Sequence, residues 1–460
     1  MTTAPTAASA ALSELLVGLR RRGLRESERH ASARALVDWY SATVAGSVMA
    51  PARILRATLG SLDGGGLARL VPSGQTMNLR TAALINGTGS HTAELDDIYR
   101  EGIYHPGCPT IAAALALGEH LDVSGEDLLR AVAIGYEAGA RIAETVNPAH
   151  YRYWHTTGTV GAFGAAAAAA DLLNLDSGQM SHALATAATM AAGLQQAFRS
   201  DNMNKPLHAG HAAEAGLLAA IAASGGFTGA LDVLEGAIGF GVAMSDSPDW
   251  TAAVTEPDRQ LAVERITVKN HSCCGHTFAA VDAALLLRAR GIDLDDVTSI
   301  EVSTYTTATK VAGYRNPRSE FEAKFSTSYC VSAALVLGSV RLRAFEPAAL
   351  QDQDIRDLEA KVTVVADERM EHAFPGQRQA RVTITDGRGR AHTELRNTRK
   401  GDPDDPMTDA ELHEKFTDLV EPVLGADATT RLAKVLWRTA QLGGIREIPL
   451  APAASSTPTP

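Results

Sequence analysis

From about residue 11 to 260 the apolar residues of this chain recur at three- and four-residue spacing. That is the period of helices burying one face. ALSELLVGLRRRG, SARALVDWYSATVAG, LRTAALINGTGSHTAELDD and EDLLRAVAIGYEAGARIAETV all carry it. The last is opened by Ser124-Gly125-Glu126-Asp127, a helix-start signal. GTVGAFGAAAAAADLLNL, GQMSHALATAATMAAGLQQAF and HAAEAGLLAAIAASGG follow, with Ala and Gly on nearly every face. Helices that are apolar all round are buried, and small side chains let them approach closely. A tightly packed helical core is therefore predicted from roughly 155 to 225.

Near residue 260 the pattern changes. ERITVKN, TSIEVSTYT, AKVTVVAD, ARVTITD and AHTELRN cluster or alternate β-branched residues and read as strands. Helical segments at about 276–291 and 319–337 interrupt them, and TDGRGR (385–390) reads as a hairpin turn. TDAELHEKFTDLVEPVL and TRLAKVLWRTAQL then return to helical period. The predicted fold class is mostly α with a smaller α+β domain. The boundaries are a helical domain over 11–261, with 405–445 packing back on it, and an α+β domain over 262–404. Residues 1–10 and 451–460, rich in Pro, Ala and polar residues, read as disordered tails.

Composition narrows the function. The chain has 460 residues, 45% hydrophobic and 21% charged, which suits a globular protein and excludes disorder of the whole. A net charge of −11, from 53 acidic and 42 basic residues, speaks against nucleic acid as a partner. Cys273 and Cys274 are adjacent while Cys108 and Cys330 stand alone, so there is neither a disulfide framework nor a CxxC metal motif. The arginines near the N-terminus follow the apolar stretch, whereas a secretory signal carries its charge before it. The longest small-residue run, 160–170, is too short to span a bilayer. The expectation is a cytoplasmic protein with no membrane partner.

Five stretches hold residues able to do chemistry. HTAELDDIYREGIYHPGCP gathers Glu94, Asp96, Asp97 and His105, which suits acid–base work or, alternatively, a solvated helix end. RYWHTTGTVGAFG sets His155 ahead of Thr156 or Thr157, either able to cap a buried helix whose start attracts anions. The other reading is a cap beside an incidental histidine. NMNKPLHAGHAAEAG carries Lys205, the first lysine of an arginine-rich chain, with His208 and His211. Their HxxH spacing lacks a third ligand at a metalloprotease distance, so no metal is assigned. KNHSCCGHTF, which opens on Lys269, crowds His271, Cys273, Cys274 and His276. The spacing is too tight for an ordinary zinc loop and leaves a Cys–His nucleophile or a buried structural pair. GYRNPRSEFEAKF offers Tyr314, Arg315, Arg318 and Lys324 to a carboxylate, or simply to solvent. With no P-loop, Rossmann fingerprint or GxSxG, no cofactor is expected.

Taken together, HTAELDDIY…HPGCPTIAAALALGE, WHTTGTVGAFGAAAAAADLLNLD, MNKPLHAGHAAEAGLLAA, GGFTGALDVLEGAIGF, CCGHTFAAVDAAL and EFEAKFSTSYCVSAAL resemble the MmgE/PrpD family. The stretches come in that family's order and cover roughly 10–440. Its members include 2-methylcitrate dehydratase, cis-aconitate decarboxylase and iminodisuccinate epimerase. The resemblance implies a helical domain with an α+β lid domain, a homodimer, an active site between the domains, and no metal or organic cofactor. It also implies catalytic roles for His105, His155, Lys205, His276 and Asp97 and substrate binding by Glu94, Asp96 and Tyr314, to which His208 and Lys269 are added as candidate substrate-binding residues.

Two departures stand out. The decarboxylase and dehydratase pattern Asp-x-Asp-Asp-Thr is here Glu94-Leu95-Asp96-Asp97-Ile98, and the stretch to His105 is about one residue longer. The implied reaction is a lyase step on a small anionic di- or tricarboxylate, beginning next to a carboxylate. A 2-methylcitrate dehydratase-like or cis-aconitate decarboxylase-like reaction is expected, and the alternative is an epimerase of an imino- or amino-dicarboxylate.

Overall fold

The computed structural model describes residues 8–63, 65–198, 202–246, 248–256, 258–374 and 376–450. The ends of the chain taken as tails, 1–7 and 451–460, lie outside the described residues. Ala8–Ala10, assigned to the first tail, instead begin the helix Ala8–Arg22. The chain divides into two compact units: residues up to Thr267 with those from Thr408 onward, and Val268–Met407. Among the described residues no helix is long and apolar enough to cross a membrane.

The first unit is helical around a small-residue core. Helix Asn204–Ser224 packs on Leu79–Thr92 and on Gly161–Leu172, which also meets Gly125–Val146. Close approach depends on glycine. A Cβ on Gly210 would lie 2.2 Å from the Leu84 carbonyl oxygen and 2.3 Å from Thr88 Oγ1. Ala162 and Ala165–Ala170 are fully buried, as an all-apolar helix requires. Ser124 caps Gly125–Val146 by accepting from Asp127 N, as its start signal predicts. The C-terminal helix Asp409–Leu424 packs on Glu26–Ser47, and Lys415 is buried there against Asp38. A two-residue ribbon, Ala68–Arg69 with Thr76–Met77, departs from an all-helical unit.

Some helices stop earlier than their patterns suggest. The run 79–97 ends at Thr92, because Glu94 turns left-handed at φ 58°. The run 178–198 ends at Met190 and resumes as a short 3-10 turn at Gln195–Phe198.

The second unit holds a four-stranded sheet in the order 362–366, 297–304, 380–386, 391–396. The first pairing is parallel and the other two antiparallel. Strand Ala380–Asp386 alternates buried and half-buried residues. Its inner face joins helices Phe278–Ala289 and Thr327–Leu337 in one apolar core. The predicted helix 319–337 is broken at Phe325, after which Ser326 caps Thr327–Leu337 by accepting from Tyr329 N. ERITVKN is not a strand of this sheet. It is the passage between the units, and Thr267 alone in it makes a bridge, to Ile98. Thr267 and Val268 are buried and Ile266 is half-buried, and none of the three belongs to a strand ladder.

Candidate active site

The acidic loop is built by the elements on either side of it. His91 closes the helix Leu79–Thr92, and His105 precedes the helix Gly107–Leu121. Between them Asp97 Oδ1 accepts from Gly107 N at 3.0 Å, and Tyr136 donates to its Oδ2 at 2.7 Å. Asp97 thereby covers an open backbone donor at a helix start. Burial, with the charges of Asp38 and Asp96 added, pushes Asp97 up to about 7 against these two hydrogen bonds. From outside the loop, Lys415 Nζ donates to the Leu95 carbonyl at 2.7 Å. Ile98 and Thr267 exchange backbone hydrogen bonds of 2.9 and 2.7 Å. The longer stretch before His105 forms a small turn closed by the Tyr99–Tyr104 bridge, and Asn147 holds it through the Gly102 carbonyl.

At the centre of the loop is Asp96, which is 2% exposed. One of its oxygens, Oδ2, lies 2.7 Å from His91 Nδ1 and 2.7 Å from His105 Nδ1. The same oxygen accepts the Cys108 thiol at 3.2 Å. Burial, then the Asp96 charge, keeps that thiol well above its usual range and so protonated. A carboxylate only accepts hydrogen bonds, so His91 carries its proton on Nδ1, and the ion-pair contact of His105 sets an Nδ1 proton toward the same oxygen. Nε2 is then the atom of His105 left to exchange a proton. Asp96, which the resemblance assigns to substrate binding, is buried and in contact with both histidines and the thiol.

His91 extends the cluster. Its ring lies 4.8 Å from that of His105 and stacks 5.5 Å from that of His155. His155 takes the N-cap position of the first turn Thr156–Thr159 without a side-chain cap, and Thr156 and Thr157 lie inside the turn. Neither threonine caps as expected. Thr157 Oγ1 accepts from His105 N at 3.2 Å instead. His155 and His208 meet through their Nδ1 atoms at 3.1 Å. Burial, then the nearby charges of His91, Lys205, His105 and His208, holds His155 well below its ordinary value. Burial, then His91 and His211, brings His208 down to about 4. Lys205 pairs with Glu94, and its ammonium lies 5.5 Å from the centre of the Phe198 ring. Phe198 in turn meets His155 edge-on. His211 turns away to the Met190 carbonyl, so the HxxH pair does not converge.

His91, Asp96 and His105 are the group among the described residues whose donor atoms lie close enough to hold a cation. Their 2.7 Å separations are hydrogen-bond lengths, whereas neighbouring ligands of a tetrahedral zinc sit roughly 3.3 Å apart. As it stands His91 is hydrogen-bonded to Asp96, and His105 is in ion-pair contact with the same oxygen.

The second unit places its own candidates. His276 Nδ1 meets the Tyr305 hydroxyl at 2.7 Å. His271 pairs with Asp282, and Cys273 with Thr277, so the crowded His and Cys residues diverge. Lys269 is buried, and Tyr314 is 45% exposed.

His91, Cys108 and Tyr305 escaped the sequence reading. His91 had one signal, its position five residues ahead of Asp96 at a helix end. Tyr305 had none, being 29 residues from its partner.

The fold and this cluster define a class: a mostly helical protein with a smaller α+β unit, whose helical unit gathers histidines, carboxylates and a lysine fit for acid–base chemistry. Residues 10–253 match the MmgE/PrpD N-terminal domain and residues 271–439 the MmgE/PrpD C-terminal domain. The chain belongs to the MmgE/PrpD family. It is 27% identical over 380 residues to the cis-aconitate decarboxylase-like protein oryM of Aspergillus oryzae, covering 77% of this chain and 78% of that one. It is 26% identical over 422 residues to the cis-aconitate decarboxylase of Aspergillus terreus, covering 84% and 86%. It is 28% identical over 369 residues to that of Homo sapiens, covering 77% and 75%.

Proposed function

We propose that the protein is a cofactor-independent lyase acting on a small di- or tricarboxylate, with decarboxylation of cis-aconitate or a near relative as its reaction. The observation that carries this reading is the single Asp96 oxygen 2.7 Å from the Nδ1 atoms of both His91 and His105. It fixes the tautomer of His105 and dedicates Nε2 to proton transfer. The similarity to cis-aconitate decarboxylases supports the substrate class.

In decarboxylation the bond to the departing carboxylate breaks and CO2 leaves. The electron pair passes into the conjugated carboxylate system, and a proton is then placed on carbon. The Lys205 ammonium offsets the negative charge that develops. His105 delivers the proton from Nε2 and keeps its Nδ1 proton on Asp96. Started from the neutral ring, the same atom removes a proton next to a carboxylate, which opens dehydration or epimerisation. Neutral His155 serves as a hydrogen-bonding group. Glu94 and His208, in the helical unit, are read as substrate-binding residues.

A second reading, an isomerase of an imino- or amino-dicarboxylate, is favoured by Ile98, which brings no hydroxyl where the decarboxylase pattern has Thr. We also read the protein as a homodimer. Phe227, Leu231, Val242 and the 97% exposed Ile238 are exposed apolar side chains within 227–242, and sedimentation of the purified chain tests the dimer.

Proton NMR in D2O with cis-aconitate, citrate, 2-methylcitrate and an iminodisuccinate-type acid tests the reaction. The expected result is consumption of cis-aconitate with new vinylic signals and one deuterium in the product. Deuterium entering an otherwise unchanged iminodisuccinate-type acid would establish the isomerase instead. No consumption or exchange with any of the four overturns both readings.

A further inference from the structure

His276 precedes the helix Phe278–Ala289, and its Nδ1 lies 2.7 Å from the Tyr305 hydroxyl. Tyr305 is 1% exposed, and its ring stacks on Phe374 at 4.5 Å with an interplanar angle of 13°. With Ala308 and Met370 these rings form a small apolar cluster of their own. The phenol is therefore held in place independently of His276. Among the described residues its hydroxyl has no other hydrogen-bond partner.

That leaves two ways to make the bond. If the imidazole donates from Nδ1, the phenolic proton is buried with nothing to accept it. If the phenol donates, its only proton is matched, and the imidazole receives it on its lone-pair nitrogen. Buried donors are satisfied almost without exception, so the second arrangement holds. The imidazole proton then sits on Nε2.

The surroundings keep both groups in these forms. Burial, followed by the charges of Arg378 and Arg399, brings His276 down to about 3, so the ring is neutral. Burial pushes Tyr305 up to about 12, so the phenol keeps its proton. Arg399 is itself fixed, held by both Asp402 oxygens at 2.9 and 2.8 Å and donating to the Gly275 carbonyl at 3.1 Å.

We propose that Tyr305 is a positioning residue that locks neutral His276 as its Nε2–H tautomer, so that His276 meets an anionic substrate oxygen as a donor and never acts as a base. The oxygen belongs to a carboxylate or to the enediolate-type anion formed from it. A neutral imidazole is suited to this, because it can stabilise a developing oxyanion without surrendering its proton in the ground state. The role contrasts with that of His105, whose carboxylate partner fixes the opposite tautomer. The substrate class rests on the function proposed above, and the tautomer does not.

The test is long-range 15N–1H correlation on the full chain labelled with 15N-histidine, near neutral pH. Loss of one set of signals in His276→Gln assigns the ring. The expected pattern is a protonated Nε2 and an unprotonated Nδ1. In Tyr305→Phe, which keeps the stacked ring, the fixed pattern gives way to a mixture of tautomers. With cis-aconitate, Tyr305→Phe lowers kcat by about 100-fold and leaves KM within about twofold. A protonated Nδ1 in the wild-type ring overturns the proposal, as does Tyr305→Phe with unchanged 15N shifts and kcat. If the wild-type chain does not turn over cis-aconitate, the functional reading fails while the 15N pattern still decides the tautomer.

Discussion

His155 and His208 meet Nδ1 to Nδ1 at 3.1 Å. Two nitrogens in contact need one proton between them, so one ring donates and the other accepts. Two imidazolium ions would present two donors to each other, and that form is excluded. Burial comes first in depressing both proton affinities. The charges of His91, Lys205, His105 and His208 add to it at His155, and those of His91 and His211 at His208.

The depressed His208 makes stability depend on pH with a definite sign. Below about 6.5 the unfolded chain takes up a proton at residue 208 that the folded chain refuses until about 4. The contribution of the neutral ring is full above 6.5 and is lost as pH falls through that window. His208→Gln carries no such proton. Its urea midpoint, relative to wild type, is expected to rise between pH 7 and pH 5, and a constant difference would contradict the assignment.

Asp96→Asn keeps the shape and removes the charge. Its amide oxygen can still accept but carries no charge, so it holds His91, His105 and the Cys108 thiol more weakly and the His105 tautomer is less firmly fixed. On cis-aconitate kcat is expected to fall by about 10²–10⁴-fold. Far-ultraviolet circular dichroism is expected to stay as in the wild type. Activity within a few-fold of wild type would remove Asp96 from its positioning role.

Lys205 is 18% exposed and paired with Glu94, which is 31% exposed. A pair this open to water adds at most ~1 kcal/mol to stability. Lys205→Met is therefore expected to melt within a few degrees of wild type while kcat/KM falls by at least about 100-fold. Equal losses of stability and activity would point to a structural lysine.

Lys415 is the opposite case. It and Asp38 are 0% and 1% exposed, with Nζ 2.5 Å from the carboxylate and 2.7 Å from the Leu95 carbonyl. Removing one partner strands a buried charge, so Lys415→Met is expected to cost about 3–5 kcal/mol in denaturant unfolding. Adding Asp38→Asn recovers part of it. Hydrogen exchange at Leu95–Asp97 is expected to quicken in the single variant, because the loop loses its anchor.

Much of the architecture was legible in the chain. Period and composition marked the helical unit, the strands after 297 and the return to helix after 408, because burial of one face leaves a repeat in the sequence. The passage at ERITVKN misled because β-branched residues suit any buried extended chain, paired or not. The broken helix at Phe325 misled because apolar spacing carries through the two-residue interruption of Phe325 and Ser326.

For the site, the sequence by itself determined which residue types are present and which helix ends they flank: His105 before one helix, His155 before another, Lys205 and His208 at the start of a third. It could not say that Asp96 contacts both His91 and His105, that His155 faces His208 across 53 residues of chain, or that Tyr305 takes the Nδ1 of His276. Those pairings set which nitrogen carries a proton. A tautomer depends on the atom within hydrogen-bond reach, and packing, not spacing along the chain, decides which atom that is.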